Sequence, residues 1–225
     1  MRKILSTCLA SMMLIITIEC LNPAQIAYAA DSKSTTATQS QAITAPVGTY
    51  KKGSVYGPKL NKKQLNEVKA AVNQIVTAVE TNYPGANNQT RFLAAALLMA
   101  QNCTYVADWS QNSANTAWGS LVFHQAACSG YARGLKAVCD GLGIHCYYVH
   151  STSKGSCASH QFNKVYIDGI GWTNVDLCIM NTSGYWIGQS YSDTDYQAFM
   201  VQNLGDLITW DPSLPACNAG YVFYN

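Results

Sequence analysis

Hydrophobic residues recur at steps of three and four in the first strongly patterned part of the chain. On a helix these positions share one face: Leu65, Val68, Val72, Ile75 and Val79. Asn61, with Gln64 three residues later, has the pattern of a helix N-cap, and the Tyr-Pro-Gly sequence at 83–85 is a stop signal. The pattern predicts an amphipathic helix whose apolar face packs in the core and carries no chemistry.

Two more helices are predicted before the helical spacing of the apolar residues gives way to a strand-like alternation. The stretch from Thr90 to Cys103 is apolar nearly all round, so we expect it to be buried. The stretch from about Cys128 to Gly141 ends at the glycines of an Asp-Gly-Leu-Gly sequence. Its apolar residues fall on one face of a helix: Tyr131, Leu135, Val138 and Leu142.

After the third helix the apolar positions alternate, which is typical of half-buried strands. Three segments have this period: Ile144–His150, His160–Asp168 and Gly171–Ile179. A glycine-containing turn at 168–171 joins the last two into a hairpin. Because helices come first and antiparallel strands follow, the sequence predicts an α+β fold with N-terminal helices packed on an antiparallel sheet.

The N-terminus has the pattern of a secretory signal. A basic start and a short apolar run, closed by Glu19, lead to the Ala-Tyr-Ala pattern of a signal peptidase site at 27–29. The apolar run is shorter than the roughly 20 residues of a membrane-spanning helix, which disfavours a membrane anchor. Lipid attachment at Cys20 is disfavoured by the large or charged residues before it. We expect residues 1–29 to be removed from a secreted or cell-surface protein without stable membrane insertion.

Residues 30–56 are rich in Ser, Thr and Gln and contain few large apolar side chains. Such a segment cannot bury enough surface to fold alone, so we expect a disordered linker. Residues 57–225 are long enough for one domain with its own core.

The net charge of the chain does not indicate a class of binding partner. Loss of residues 1–29 removes two of the 14 basic and one of the 12 acidic residues, and so leaves 12 basic against 11 acidic residues. Binding to nucleic acid is therefore not expected. The sequence does not indicate an oligomeric state.

The cysteine count is odd once the signal is removed. Seven cysteines remain: Cys103, Cys128, Cys139, Cys146, Cys157, Cys178 and Cys217. In an oxidising compartment this count predicts three disulfides and one free thiol. The count alone identifies neither the free thiol nor the pairings.

Position distinguishes Cys128 from Cys139 on the third helix. Cys128 lies at the predicted N-terminus, where unpaired N–H groups and the helix dipole favour a thiolate, the nucleophilic form of the side chain. Cys139 lies near the opposite end, where the dipole disfavours a thiolate. We expect Cys128 to be the reactive cysteine and Cys139 to be structural.

A cysteine nucleophile also needs a base and a group that orients the base. His160 begins one strand of the predicted hairpin, and Asp176 lies near the end of its partner. Both positions meet at one edge of the sheet, so Cys128, His160 and Asp176 can converge if the third helix packs against that edge. Whether the two strand residues share a face depends on the turn length and on any bulge.

These residues resemble a known family. The segments Asn112–Val149 and His160–Asp176 are similar to the catalytic core of the bacterial transglutaminase-like superfamily, relatives of papain-type thiol enzymes. In that family a cysteine at the head of a helix precedes Gly-Tyr-Ala, and a His-x-aromatic-Asn strand, an Asp-Gly turn, a Trp and a Val-Asp pair follow. The matching residues are Cys128, Gly130, Tyr131, Ala132, His160, Phe162, Asn163, Asp168, Gly169, Trp172, Val175 and Asp176. The resemblance does not reach residues 177–225.

The resemblance implies a transglutaminase-like, papain-like fold and acyl transfer without a metal or cofactor. Cys128 attacks a carboxamide or peptide carbonyl of a protein or peptide substrate, His160 protonates the leaving amine, and Asp176 holds the tautomer of His160. The backbone N–H of Cys128 is one candidate donor to the oxyanion. Trp118 or Gln125 could supply a second donor.

Other functions stay open at the level of sequence. A cysteine peptidase or amidase that acts on proteins or cell-wall peptides needs the same site with water as acceptor, and a surface binding module could keep the fold without catalysis. A zinc site of Cys157 and His160 with Cys139 and Cys146 is disfavoured, because there is no second short-spaced pair and an exported chain disfavours free thiolate ligands.

The hairpin predicts one disulfide, and the step from the end of the third helix to the next strand predicts another. Cys157 precedes His160 by three residues and Cys178 follows Asp176 by two, so both project from one edge of the sheet. Cα atoms within about 7 Å can be bridged. We expect a Cys157–Cys178 bond, and a second one that links Cys139 to Cys146.

Overall fold

The computed structural model describes residues 55–222, apart from 58, 109, 154–158 and 183–188. The predicted signal at 1–29 and nearly all of the predicted linker lie outside the described residues. Tyr56, the last residue assigned to that linker, is buried, and its hydroxyl donates to Asp140 Oδ2 at 2.5 Å. Packed structure is therefore already present at Tyr56. In the described part of the chain, no helix is long and apolar enough to cross a membrane.

Besides short turns of 3-10 and π helix at Gln111–Ser113 and Gly119–Phe123, the first part of the described chain contains three α-helices. They are α1 (Lys62–Asn82), α2 (Asn88–Gln101) and α3 (Cys128–Leu142). Asn61 and Gln64 form a capping box at the start of α1, because each side chain accepts a hydrogen bond from the backbone N–H of the other residue. The apolar face of α1 is buried, and α3 contacts both other helices. All three predicted helices are confirmed.

Within the part of the chain that the structure describes, eight strands form one main sheet and two short pairs. They are β1 (Thr104–Tyr105), β2 (Gln125–Ala126), β3 (Cys146–Ser153), β4 (Ser159–Ile167), β5 (Gly171–Val175), β6 (Gln189–Ser190), β7 (Ile208–Thr209) and β8 (Tyr221–Val222). The main sheet has the order β5-β4-β3-β7, with every neighbouring pair antiparallel. Helix α3 packs on β3 and β4. The predicted α+β class, with N-terminal helices on an antiparallel sheet, is confirmed.

The predicted strand Gly171–Ile179 is wrong beyond Val175. The strand ends there, and Leu177–Thr182 forms a short helix, α4. Asp176 acts as its cap, because its Oδ1 accepts a hydrogen bond from Ile179 N at 3.1 Å. The apolar residues directly after Asp176 therefore belong to a helix that an aspartate begins.

The sheet is covered on both faces. One face packs against α1, α2 and α3 in the main core through Val165, Ile167 and Val175. The other face packs against the C-terminal part of the chain, which contains α5 (Asp193–Leu204). This second core has these buried residues: Val149, Phe162, Ile179, Met180, Tyr191, Tyr196, Met200 and Ile208.

A buried lysine joins β4 to the C-terminal layer. The Lys164 side chain is 1% exposed, and its Nζ donates to Asp193 Oδ1 at 2.7 Å and to the Pro215 carbonyl at 2.9 Å. It also lies over the Trp210 ring, 5.0 Å from the centroid. The charge is thus paired, as burial of an ammonium group requires.

Candidate active site

Cys128 is the first residue of α3, and several backbone contacts fix its position. The strand β2 ends just before it and pairs in parallel with β1. The N–H of Ala127 donates to the Ala114 carbonyl at 3.0 Å. Ala127 is the N-cap residue of α3 and provides no side-chain hydrogen bond. The first N–H groups of α3 therefore lack both an intrahelical acceptor and a side-chain cap, which leaves them available to an anion.

Two glycines allow this close packing around the start of α3. A Cβ on Gly130 would lie 2.1 Å from the Ala114 carbonyl oxygen, and a Cβ on Gly134 would lie 2.2 Å from Ser120 Oγ. A larger residue at Gly130 would require the backbone at Ala114 to move, and one at Gly134 would displace the side chains of Ser120 and Met99. The small residues after Cys128 are thus explained by packing.

His160 faces Cys128 from β4. The imidazole is 5% exposed, and its Nε2 lies 2.6 Å from Oδ2 of the fully buried Asp176. The His160 ring also hydrogen-bonds to the Cys128 thiol. Because Nε2 is taken by the carboxylate, Nδ1 is the nitrogen left for sulfur. The structure therefore brings together the three residues that the sequence singled out, in the order Cys128, His160, Asp176.

Asp176 is held by more than the histidine. Its Oδ2 accepts a hydrogen bond from the hydroxyl of Tyr196 at 2.8 Å, and its Oδ1 caps α4. Tyr196 is fully buried on α5 and packs against the Phe162 ring, with 4.5 Å between centroids. The sequence analysis missed Tyr196, because it lies in the stretch 177–225, for which neither a pattern nor the resemblance gave a position.

The pKa of His160 reflects two opposing effects. Burial lowers the pKa, because it disfavours the imidazolium ion. The charge and hydrogen bond of Asp176, together with the contact to Cys128, outweigh burial and raise the pKa of His160 to about 10. The protonated imidazole is therefore the favoured form next to the sulfur.

Gln161 is a second polar neighbour of the sulfur that the sequence analysis did not identify. The Cys128 thiol donates to Gln161 Oε1 at 3.1 Å, and Gln161 Nε2 lies 3.0 Å from Nδ1 of His150 on β3. His150 and Gln161 are direct partners in the β3–β4 register. Because side chains alternate along a strand, Gln161 and Asn163 lie on the same face of β4. Asn163 donates to the Ala132 carbonyl of α3 at 2.9 Å, so this face of β4 is directed towards α3.

The proposed oxyanion donors differ in their surroundings. Trp118 is not such a donor, because its indole N–H donates to Glu67 Oε2 at 2.7 Å and its ring stacks on Phe123. Gln125 lies half-buried on β2, three residues before Cys128. The backbone N–H of Cys128 stays available at the start of α3.

The remaining described cysteines are buried free thiols: Cys103, Cys139, Cys146, Cys178 and Cys217. Burial raises the pKa of Cys103 to about 11 and that of Cys217 to about 12, and also raises the pKa of Cys139 and Cys178. Cys128 is the partly exposed cysteine among those described.

The two predicted disulfides stay predictions. The thiols of Cys139 and Cys146 are hydrogen-bonded to each other, so this pair is adjacent without being joined. Cys178 lies on α4 instead of on a strand, and Cys157 lies outside the described residues. Among the residues that the structure describes, no three His, Cys, Asp or Glu side chains are grouped as metal ligands.

Comparison with solved structures finds similar chains at low sequence identity. The chain is similar to a crystal structure of a TGase, with 15% identity and a TM-score of 0.43 over 53% of this chain and 33% of that one. It is also similar to a candidate cysteine protease from Cytophaga hutchinsonii, with 18% identity and a TM-score of 0.39 over 53% of this chain and 43% of that one. The chain thus spans less than half the length of either protein. No curated protein matches it.

A family profile gives the assignment. The profile of the transglutaminase-like superfamily matches residues 63–177, just over half of the 225 residues. The matched range runs from the first turn of α1 to the start of α4 and includes Cys128, His160 and Asp176. The chain therefore belongs to the transglutaminase-like superfamily.

Proposed function

We propose that this protein is an exported thiol enzyme that transfers acyl groups, with Cys128 as nucleophile, His160 as acid and base, and Asp176 as the residue that orients His160. The observation that carries the proposal is the continuous hydrogen-bonded path from the sulfur through the imidazole to a buried carboxylate. Membership of the superfamily supports the same chemistry. The substrate class is a carboxamide or peptide group of a protein or peptide.

The chemistry follows from the geometry of the site. The Cys128 thiol loses its proton to solvent beside the protonated His160, and the thiolate forms a bond to the carbonyl carbon of the substrate. The oxyanion that results accepts a hydrogen bond from the N–H of Cys128 at the uncapped start of α3. The imidazolium then protonates the leaving amine as its bond to carbon breaks, which gives a thioester on Cys128.

The second half-reaction determines the class of enzyme. An amine that attacks the thioester gives a new amide, and His160 takes its proton; the products are those of a transglutaminase. Water in the same position gives a carboxylic acid, and the products are those of a peptidase or amidase. Asp176 keeps Nε2 of His160 engaged in both steps, so Nδ1 alone exchanges protons with the reactants.

Incubation with casein and a labelled primary amine tests the proposal. We expect the wild-type protein to attach the amine to casein and the Cys128→Ala variant to attach none. Cys139→Ala is the matched control, because Cys139 lies at the other end of α3 and has no contact with His160. Release of ammonia or cleaved casein without attached amine assigns hydrolysis instead of transfer. Absence of all three products, in protein that is folded, contradicts enzymatic function and favours a binding module.

Export is the part of the proposal that depends on residues 1–29. The basic start, short apolar run and Ala-Tyr-Ala pattern support it. In a secreting bacterial host we expect the protein in the medium or on the cell surface to begin at Ala30. An intact N-terminus on protein that stays inside the cell contradicts export.

A further inference from the structure

The Gln161 amide links the reactive sulfur to an exposed histidine. Gln161 is 5% exposed, whereas His150 faces solvent. In the structure the Cys128 thiol donates to Oε1, and Nε2 lies 3.0 Å from His150 Nδ1. An amide N–H only donates, so His150 Nδ1 accepts in this state and the ring proton lies on Nε2. The arrangement fits a neutral thiol.

The same arrangement does not fit a thiolate. A sulfur that has lost its proton no longer donates, and it then faces the lone pairs of Gln161 Oε1. A half-turn of the amide about its terminal torsion exchanges the oxygen and nitrogen without placing a heavy atom anywhere new. After this turn Nε2 donates to the thiolate, and Oε1 needs a donor on its other side.

We propose that Gln161 is a catalytic residue that donates to the Cys128 thiolate, and that His150 is a positioning residue that permits the amide to turn. This inference rests on the proposed role of Cys128 as a nucleophile. Nδ1 of His150 accepts from Nε2 while the thiol is neutral and donates to Oε1 once the thiolate has formed. The change needs only a different tautomer of the imidazole.

The protons balance in this exchange. The thiol proton goes to solvent, which the partly exposed Cys128 allows, and the Gln161 amide keeps both of its protons. His150 gains a proton at Nδ1 from solvent and releases one from Nε2 to solvent, which its exposure allows. A buried side chain in place of His150 would have no such exchange, and an apolar one would leave Oε1 unpaired.

Alkylation of Cys128 by iodoacetamide tests the inference without any substrate. Rates are measured on the acid side of the pH profile, where the rate is proportional to the thiolate population, and the modified peptide is identified by mass spectrometry. We expect His150→Leu and Gln161→Leu each to slow alkylation by about tenfold or more, the effect of a lost hydrogen bond to a charged group. His150→Asn places an amide near the position of Nδ1 and should restore the rate to within about threefold of wild type.

The double variant separates a coupled pair from two independent effects. We expect Gln161→Leu with His150→Leu to react as slowly as Gln161→Leu alone, because His150 acts through Gln161. The other ionisable groups that interact with the sulfur are His160 on β4, Tyr148 on β3 and Cys178 on α4, and they are the same in every variant. Unfolding midpoints confirm that the variants are folded.

Three outcomes decide the inference. A His150→Leu variant that reacts at the wild-type rate, a loss that Asn does not restore, or additive losses in the double variant would overturn it. Slow alkylation of Cys128 in the wild-type protein is a different result, because it contradicts the nucleophile of the proposed function itself. Failure of the inference and failure of the function are thus distinguished in one series.

Discussion

Asp176 makes three contacts, and replacement of Oδ2 by an amide nitrogen changes two of them without changing the third. Oδ2 contacts His160 and Tyr196, and Oδ1 caps α4. We predict that Asp176→Asn keeps the fold, because Asn retains Oδ1 and is itself a favoured N-cap. Turnover should fall by a factor on the order of 10³ to 10⁴, because an amide at Oδ2 stabilises the wrong tautomer of His160.

Steady-state kinetics of amine transfer measure this effect, with Tyr196→Phe as control. That variant removes one hydrogen bond to Oδ2 and leaves the carboxylate charge, so its loss should be about tenfold or less. Equal turnover of Asp176→Asn and wild type removes Asp176 from the mechanism.

The raised pKa of His160 predicts that stability falls in alkaline solution. The unfolded state binds a proton at this site with a pKa near 6.5, whereas the folded state keeps it up to about 10. Between these values the folded state binds more protons, so the free energy of unfolding decreases as pH rises, by up to about 1.4 kcal/mol per pH unit. The contribution of this site is complete below the lower pKa and lost above the upper one.

Denaturant unfolding at several pH values checks this prediction. His160→Gln is the control, since it removes the titrating group and should show a smaller decrease between about pH 7 and 10. Buried tyrosines and cysteines contribute equally to both proteins. Parallel curves for the two proteins would show that His160 is not protonated in the folded state.

The site residues could be predicted from the sequence where a reactive residue type coincided with the end of a predicted helix or strand. Cys128 could be placed at a helix start, and His160 and Asp176 at one edge of a hairpin, from period and turn signals alone. Gln161 and Tyr196 could not be ranked in this way. Gln161 differs from other buried strand residues only through its partners, and Tyr196 contacts Asp176 across twenty residues of unrelated pattern.

At the scale of the element, the start of α3 depends on Gly130. Helix propensity alone predicts that Gly130→Ala stabilises the protein by up to about 1 kcal/mol. The structure predicts the opposite sign, because the new Cβ would overlap the Ala114 carbonyl. We expect the free energy of unfolding to fall by about 1 to 3 kcal/mol, as overpacking usually costs.

Chemical denaturation gives the sign directly. Ser129→Ala is the matched control, one position earlier on α3, and it should change stability by less than about 0.5 kcal/mol. Stabilisation by Gly130→Ala would show that the 114–120 segment moves away from α3 at no cost.

The elements differed in how far the sequence could predict them. Helices α1 to α3 have long apolar periods and clear end signals, and all three were predicted. The segment 177–182 begins with a run of apolar residues that continues the preceding strand in sequence, yet Asp176 caps a helix there. A short segment between two elements has too few residues for its period to outweigh one capping hydrogen bond.

At the scale of the whole molecule, the C-terminal layer holds the carboxylate of the site. Lys164 anchors this layer through Asp193, the first residue of α5, and α5 carries Tyr196. We predict that Lys164→Met lowers the free energy of unfolding by about 3 kcal/mol, near the lower end for a broken buried pair, because Asp193 is partly exposed.

Thermal and denaturant unfolding measure this loss, and turnover should fall with it because Asp176 loses part of its support. Asp193→Asn removes the charge but keeps Oδ1 as the acceptor for Asn174 Nδ2 and Lys164 Nζ, and it loses only the acceptor for the Cys217 N–H, so it is the milder control. If Lys164→Met is as stable as wild type, the ion pair does not anchor the layer.

The arrangement of layers could be predicted only in part. The order of helices and strands was enough for the α+β class and for helices on one face of the sheet. The second core on the other face was not predicted, because its residues come from short elements separated by irregular segments. Its anchor, a lysine in the middle of a strand, has a sequence pattern that on its own indicates exposure.

The central claim is that Cys128 becomes acylated with the help of His160. Reaction with p-nitrophenyl acetate, followed by peptide mass spectrometry, tests it most directly. We predict one acetyl group, on the peptide that contains Cys128, with a rate that falls by at least about a hundredfold in His160→Gln. Acetylation at another residue, or an unchanged rate in His160→Gln, would contradict the account.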